Sequence, residues 1–498
     1  MELPLQAVQV KRVPIIALFL LLYFNLSVRS QGAGVAYVHV AAGASFTFAI
    51  QSNGTLWAWG DNAYGQLGDG TTTSRTAPVV VPPPANASAG SRWVRIIAHD
   101  NPTPVWGLRS DNSLWQWGAN QLQPVQIALP LVLPSGATFT TLASSGAHAL
   151  ALYSDGSVFA WGSNAQGQLG TGNTAISSST PALVATPTAA SPGTYWVAIE
   201  AENNTSFGIR SDGTLWSWGG IGLQNYNPMG HAVLPTGCYT PELVPHPAGA
   251  SAGSKWVGVD AGEKHTLGLR SDGALWAWGS NSNGALGQGN GLGGSNTPVP
   301  IPVPSGVAAG THWKQISAGA SASQAIMTDG TLWAWGNNFS GQLGINSNNP
   351  AELSPVQEYN QEVWSQVALG AQHAVALSKG RVYVAGNGSQ GQLGLGNAPN
   401  RFYFLVRVVG LPLAAIGQSI SNSAINIFPN PVKSGANITV EGISAANKVE
   451  IINSQGQTIA IASIVNAQVN IPKLAPGIYL IRIYEDSKSL GSRKLQVY

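Results

Sequence analysis

The chain has 498 residues, 60 of them glycine and 31 proline, with 44% hydrophobic and only 9% charged. It is too long for one ordinary core, too apolar for disorder, and too often interrupted for long helices, which leaves many short strands. A net charge of +2 provides no basic field for nucleic acid, and a single cysteine, Cys238, excludes an internal disulfide framework or a cysteine-built metal site.

Residues 1–30 read as a secretory signal. Lys11 and Arg12 precede an apolar run over 15–26, and Val28 and Ser30 place small residues at −3 and −1 before Gln31. The run is short for a bilayer, so no stable membrane span is expected.

From about residue 35 to 416 one unit recurs. Its clearest copy is Ser271-Asp272-Gly273-Ala274-Leu275-Trp276-Ala277-Trp278-Gly279, and the closing glycines are Gly60, Gly118, Gly162, Gly219, Gly279, Gly336 and Gly386. Intervals of 44 to 60 residues suit propeller blades and exceed helical-pair repeats. In unit five, Trp256-Val257-Gly258-Val259-Asp260 alternates as a strand should, and His265-Thr266-Leu267-Gly268-Leu269 is a second strand. Asp272-Gly273 is expected to form a two-residue hairpin turn into a third strand, with Gly273 supplying the positive φ. In unit two the turn is Asp111-Asn112, so Asn112 must take the glycine's backbone role. Asp155, Asp212, Asp272 and Asp329 are therefore turn residues rather than catalytic acids.

All 17 tryptophans occupy repeat positions: eleven in the W-x-W-G strands, five in leading strands, and Trp106 in a second strand. Strict repetition favours packing over a sugar-binding cleft. Each buried Trp contributes on the order of 2–3 kcal/mol. Large Trp faces interlock with small Ala and Gly faces between neighbouring blades.

A second signature follows the Trp strand: Gly65-Gln66-Leu67-Gly68, Gly167-Gln168-Leu169-Gly170, Gly284-Ala285-Leu286-Gly287, Gly341-Gln342-Leu343-Gly344 and Gly391-Gln392-Leu393-Gly394. Together these motifs resemble the regulator of chromosome condensation repeats, over about 380 residues. The resemblance implies a seven-bladed β-propeller closed by strands from both ends, here 36–41 and 402–409. Units two and four lack the signature. In unit two, Ala119-Asn120-Gln121 runs toward Pro124 and implies a short blade. In unit four, 220–247 is a longer proline-rich stretch that holds the candidate binding-loop residues His231, Tyr239 and His246. Irregular rim loops are where binding concentrates, so 220–247 and 287–311 are the expected ligand loops. Cys238 is read as an incidental loop residue, with nothing beside it to lower its pKa.

Around residue 416 the tryptophans stop, and 417–424 reads as a linker. Beyond it, alternating runs at 437–440, 449–452, 458–462, 467–471, 477–484 and 493–497 predict a small β-sandwich, immunoglobulin-like, over 425–498. This segment resembles the type A C-terminal sorting domain of the type IX secretion system. The matching residues are Phe428-Pro429-Asn430-Pro431, the hairpin around Gly456, the run Pro476-Gly477-Ile478-Tyr479-Leu480, and the basic terminal strand at Lys494. The resemblance implies export, with the type IX machinery as a partner through 425–498 and Pro429, Asn430, Pro431, Gly456, Gly477, Tyr479 and Lys494 as its signal residues.

No phosphate-binding loop, nucleophile elbow, zinc-protease motif or dinucleotide fingerprint occurs. No cofactor and no metal are expected. His148, His265 and His373 share a repeat position that other units fill with Phe46, Pro104, Thr205 and Ala322, so they are expected to be structural and to bond backbone. Glu200 and Glu202 lie two apart on a strand, but Asp260 matches Glu200 by position, so no converging catalytic pair is expected. The resulting expectation is an all-β, secreted or cell-surface, non-enzymatic propeller that binds an extracellular protein or glycan. Guanine-nucleotide exchange, implied by the repeat resemblance, and glycan processing are the alternatives.

Overall fold

A computed structural model describes residues 36–99, 103–127, 136–220, 226–232, 238–291, 293–360, 362–396 and 402–408, and, toward the C-terminus, 426–428, 433–441, 447–452, 458–465, 467–475, 477–485 and 488–497. The chain forms two compact units, 1–413 and 414–498. The signal read at 1–30 and the linker read at 417–424 lie outside the described residues.

Among the described residues the first unit consists of seven four-stranded antiparallel sheets, each made of strands consecutive in sequence. Blade five has Trp256–Ala261, His265–Arg270, Leu275–Ser280 and Gly294–Pro300. The second strand is buried at every residue. The first is partly open along the ring's central channel, and in the other blades too the fourth strand is the most exposed, as in Ala351–Gln357. Sequence reasoning found three strands per unit. The fourth is low in hydrophobic alternation because it is the half-solvated outer edge, so its period-2 signal is weak.

Alternating strand direction puts two kinds of connection on each face of the ring. The turns between strands one and two and the loops between strands three and four share one face. The Asp-Gly turns and the links to the next blade share the other. The Asp-Gly turns are three-residue connections rather than the expected two-residue ones. Arg270 N–H donates to Ala274 O at 3.0 Å and Gly273 N–H to Arg270 O at 2.9 Å, and within the turn only Gly273 has positive φ, at 79°. Asn112 takes the glycine's role with φ 63°.

Blade two is not short. Ala119 and Asn120, at φ 49° and 76°, make a two-residue turn, after which Gln121–Ile127 is a full outer strand. Ring closure also differs from the expectation. No blade combines strands from the two ends: Tyr37–Ala42 is the inner strand of blade one and Phe402–Arg407 the outer strand of blade seven. The seam is bridged by backbone bonds, Tyr37 N–H to Gly380 O at 3.0 Å and Gly396 N–H to Thr76 O at 2.8 Å, and by side chains. Gln366 Oε1 accepts from Val40 N–H and Gln366 Nε2 donates to Val40 O, both at 3.1 Å.

The second unit has a three-stranded sheet, Asn426–Phe428, Asn437–Glu441 and Gln468–Asn470, and a four-stranded sheet. The latter orders Thr458–Ser463, Lys448–Ile452, Gly477–Glu485 and Lys488–Val497. Ile438, Val449, Ile451, Val469, Ile481, Ile483 and Leu495 form its core.

Candidate functional site

The repeated motifs are used at the joints between blades. In five blades the second Trp of W-x-W-G is fully buried, and its indole N–H crosses to a backbone carbonyl of the preceding blade. Trp117 reaches Gln66 O, Trp218 reaches Gln168 O and Trp335 reaches Ala285 O, at 2.9, 3.0 and 2.9 Å. Trp59 closes the ring on Gln392 O at 2.9 Å. At the joints into blades four, six and one, a hydroxyl from the receiving blade donates to the same carbonyl: Ser206, Ser323 and Thr47, at 2.8, 2.9 and 2.8 Å.

The three repeat histidines complete these joints. His148 Nε2 lies 2.7 Å from Ser206 Oγ, His265 Nε2 2.8 Å from Ser323 Oγ, and His373 Nε2 2.8 Å from Thr47 Oγ1. Each hydroxyl hydrogen is committed to the carbonyl, so the imidazole Nε2–H is the donor. The hydroxyl bond adds to the expected backbone hydrogen bonds, which His148 makes at Asn203 and His373 at Ala44 and Phe46. Burial pushes His148 down to about 3 and His265 and His373 down to about 4. Where Phe46 and Ala322 stand in place of the histidine the next blade has Val105 and Ala374 at the hydroxyl's position, whereas blade five keeps the Thr266 hydroxyl although blade four has Thr205 there.

The channel carries the charges. Glu200, Glu202 and Asp260 from blades four and five converge there with Arg95 from blade two. Burial, then the Asp260 and Glu202 charges, hold the Glu200 carboxyl well above the usual range, against the pull of Arg95. Burial raises Asp260 to about 7, opposed by a hydrogen bond from the Ala318 backbone and by Arg95. Arg95 also donates to Thr141 Oγ1 at 2.7 Å. Beside this cluster, His99 Nδ1 lies 3.5 Å from Glu202 Oε2, at a cleft of ≈ 270 Å³ that Thr103, Ser145 and Asn204 also line. The expectation that no carboxylates converge is corrected here. Residues at matching positions of adjacent blades meet because the first strands all line one channel. Among the described residues no group of three or more His, Cys, Asp or Glu side chains could hold a metal ion.

The candidate loop residues do not come together. His231 Nε2 contacts Ser217 Oγ of its own blade at 2.8 Å. Tyr239 OH reaches Ala165 O of blade three at 3.5 Å. His246 Nε2 accepts from Arg270 of blade five at 2.9 Å. His231 precedes the outer strand Cys238–Leu243 and His246 follows it, so they lie on opposite faces, roughly 20 Å apart along a six-residue strand. Cys238 is on that strand, not in a loop. It is buried, and burial together with Glu242 pushes its thiol up to about 12.

Unit four also keeps a joint that its sequence hides. Pro228 O accepts from Trp278 Nε1 at 2.6 Å and from Thr266 Oγ1 at 2.8 Å. Met229 is fully buried and Gly230 has φ 89°. Pro228-Met229-Gly230 therefore does the work of Gln-Leu-Gly. The functional atom is a backbone carbonyl, which leaves no side-chain signature; the surviving signal was a glycine 48 residues before the second Trp, as Gly230 stands to Trp278 and Gly170 to Trp218.

Of the sorting-signal residues, Pro429, Asn430, Pro431 and Gly456 lie outside the described residues. Gly477, Tyr479 and Lys494 fall on the paired strands Gly477–Glu485 and Lys488–Val497, with Leu480 opposite Lys494. Tyr479 OH donates to Ala475 O at 2.8 Å.

Comparison with known proteins finds both parts, with matches that overlap over residues 426–461. Residues 105–461 match the family described as RCC1-like domain, and 37–66 and 53–103 match the regulator of chromosome condensation (RCC1) repeat. Residues 426–497 match the secretion system C-terminal sorting domain. The ultraviolet-B receptor UVR8 of Arabidopsis thaliana is 30% identical over 408 residues, 79% of this chain and 86% of that protein. The human regulator of chromosome condensation is 25% identical over 366 residues, covering 69% and 82%. Among solved structures, human WBSCR16 superposes with TM-score 0.59 at 22% identity, over 70% of this chain and 88% of that one. Yeast RCC1 superposes with the same score at 20% identity, over 80% and 87%.

Proposed function

The chain belongs to the RCC1-like domain family and ends in a secretion-system sorting domain, and from that premise we propose that it is a secreted propeller that binds an extracellular protein or glycan at the cell surface. One conjunction supports this reading: a ring whose repeated motifs are consumed in holding its blades together, joined to a segment of the kind that directs export. Among the described residues no helix is long and apolar enough to cross a membrane. Binding falls to the loops of the two faces. His231 and Tyr239 of blade four contribute on one face, which also carries the exposed Phe339 of blade six, and His246 on the other. Removal before export of a signal at 1–30 and engagement of the type IX machinery by 425–498 belong to the same proposal.

Guanine-nucleotide exchange needs a GTPase inside a cell, and the sorting domain sends the chain out of it. A glycan-acting enzyme is favoured by the convergence of Glu202 with Glu200 and Asp260, the last two held above the usual carboxyl range, since a raised carboxyl is what the general acid of glycoside hydrolysis uses. Activity on a polysaccharide panel, abolished by Glu200→Gln, would establish it.

The export half is tested by removing 425–498 and following the chain by fractionation. Retention inside the cell is the expected result, and unchanged export would overturn it. The binding half is tested by capturing partners from surface and culture fractions on the 31–416 fragment, then repeating with Phe339→Ser and Tyr239→Ser. Deleting 220–247 would be uninformative, because it removes Pro228 and an entire outer strand.

A further inference from the structure

Blade seven departs from its sisters in the charge it carries where strands two and three turn. The turn residue that is Asn53, Asp111, Asp155, Asp212, Asp272 or Asp329 elsewhere is Lys379 here. The residue two before the first aromatic of the third strand, neutral in the other blades as in Ala274 or Thr331, is Arg381. The outer-strand residue opposite that aromatic is Val80, Gln126, Leu183, Leu243, Pro300 or Gln357 in the other blades, and here it is Arg407, opposite Tyr383. Residues two apart on one strand, and those directly opposite on the next, share a face of the sheet. Arg381, Tyr383 and Arg407 therefore lie together, on the face turned toward blade six, where Tyr383 packs with Ile326 and Leu332.

The acid at this corner is already taken. Glu362 pairs with Lys379 at 3.1 Å and accepts from Ser378 Oγ at 2.8 Å and from Tyr383 OH at 3.3 Å. Among the described residues no ion pair involves Arg381 or Arg407. The other blades answer their half-buried arginines with an acid: Asp111, Asp212 and Asp272 offset the burial of Arg109, Arg210 and Arg270. At Arg407 burial, and then the like charge of Arg381, act in the same direction and hold the guanidinium below its usual pKa, with Tyr383 opposing. The link between blades six and seven crosses the strand that carries Arg407, since Asn360 Nδ2 donates to Leu405 O at 3.1 Å. The adjacent Tyr359 is 71% exposed. An exposed ring thus stands beside two guanidiniums that lack a counter-charge.

We propose that Arg381 and Arg407 bind the carboxylate or sulfate groups of an acidic polysaccharide. Guanidinium forks pair with such oxyanions through two parallel N–H bonds. The bound group supplies at blade seven the negative charge that the turn aspartates supply in the sister blades, and it relieves the repulsion between the two arginines. The exposed ring of Tyr359 favours a sugar over an acidic peptide, because the C–H face of a pyranose packs on an aromatic while its acid substituent reaches the forks. The inference rests on the proposed binding role and specifies its ligand class and position.

The test titrates the full chain at low ionic strength with polygalacturonate, dextran sulfate, neutral dextran and poly-L-glutamate, read by calorimetry. At least one of the two acidic polysaccharides should bind, neutral dextran should not, and poly-L-glutamate should bind more weakly. Arg381→Gln and Arg407→Gln should each weaken polysaccharide binding by about tenfold, the equivalent of one charge-assisted hydrogen bond. Lys255→Gln removes an exposed charge from the same face in blade five, beside the turn glycine Gly213. It should leave affinity within about twofold, which separates a site from general attraction. Arg407→Gln also removes a like-charge contact, so its unfolding temperature should be no lower than the parent's and its loss of binding cannot be attributed to unfolding. Three results overturn the inference: no binding by either acidic polysaccharide, equal losses in Lys255→Gln and the arginine variants, or poly-L-glutamate binding as tightly as the polysaccharides. Each leaves the wider binding role standing if the capture experiment on the 31–416 fragment succeeds.

Discussion

Burial keeps the three repeat histidines neutral, and that gives the ring a pH dependence of known sign. His148, His265 and His373 are held at about 3, 4 and 4, below the ordinary 6.5. Above pH 6.5 they are neutral whether the chain is folded or unfolded and add no dependence. As pH falls toward 4 the unfolded chain takes up protons that the folded one refuses, so stability declines, by up to about 1.4 kcal/mol per pH unit for each histidine. Asp260, raised to about 7, acts in the opposite direction over part of this range. The contribution is isolated with His373→Phe, which copies Phe46 of blade one. The difference in unfolding free energy between pH 7 and pH 5, from denaturant titrations, should shrink by about 2 kcal/mol. A double-mutant cycle of His265→Ala and Ser323→Ala should show a coupling of about 1 kcal/mol, because the two residues form one joint. The sequence placed these histidines at one repeat position and so marked them as structural. It could not reveal their partners, which are 58 residues away for His148 and His265 and 326 away, across the seam, for His373.

At the scale of the element, the Gly-x-Leu-Gly loop is a carbonyl presented to the neighbouring blade. Its last glycine is required twice over. Gly170 has φ 64°, and a Cβ there would stand 2.6 Å from Trp218 Nε1. Gly170→Ala is therefore expected to cost about 1–3 kcal/mol and to shift Trp fluorescence, whereas Gly193→Ala, with positive φ but nothing within 4 Å of its Cβ, should cost about 1 kcal/mol. Chemical denaturation of both variants separates close approach from backbone strain. Inner and middle strands were legible because Trp and the Asp-Gly turns recur with little change. The outer strands and the Pro228 joint were not, because edge strands and backbone acceptors place few demands on side-chain identity. The binding-loop expectation failed for a related reason. Length and irregularity marked 220–247 as unusual, but half of it rebuilds a joint, and an outer strand separates His231 from His246.

For the whole molecule, each unit has its own apolar core. A chain ending at residue 413 is expected to keep the denaturant midpoint of the propeller, measured by Trp fluorescence, since all 17 tryptophans precede residue 365. A lowered midpoint would mean that the sorting unit supports the ring. The joints are not uniform. Blade two's tight Ala119-Asn120 turn offers no carbonyl to blade three, and Ala385 replaces the Trp that would reach back from blade seven to blade six. The joints that do form have a direction along the chain. Gln66, Gln168, Pro228 and Ala285 each precede the tryptophan they receive, so on a chain appearing N-terminus first the socket exists before its plug. The closing joint reverses this order: Trp59 and Thr47 appear early and wait for Gln392. Until nearly four hundred residues have emerged, the first blade carries an unanswered indole and hydroxyl on its flank. The first blade's flank is thus answered only once Gln392 of the 498 residues has been made, and the ring closes after every other blade is in place.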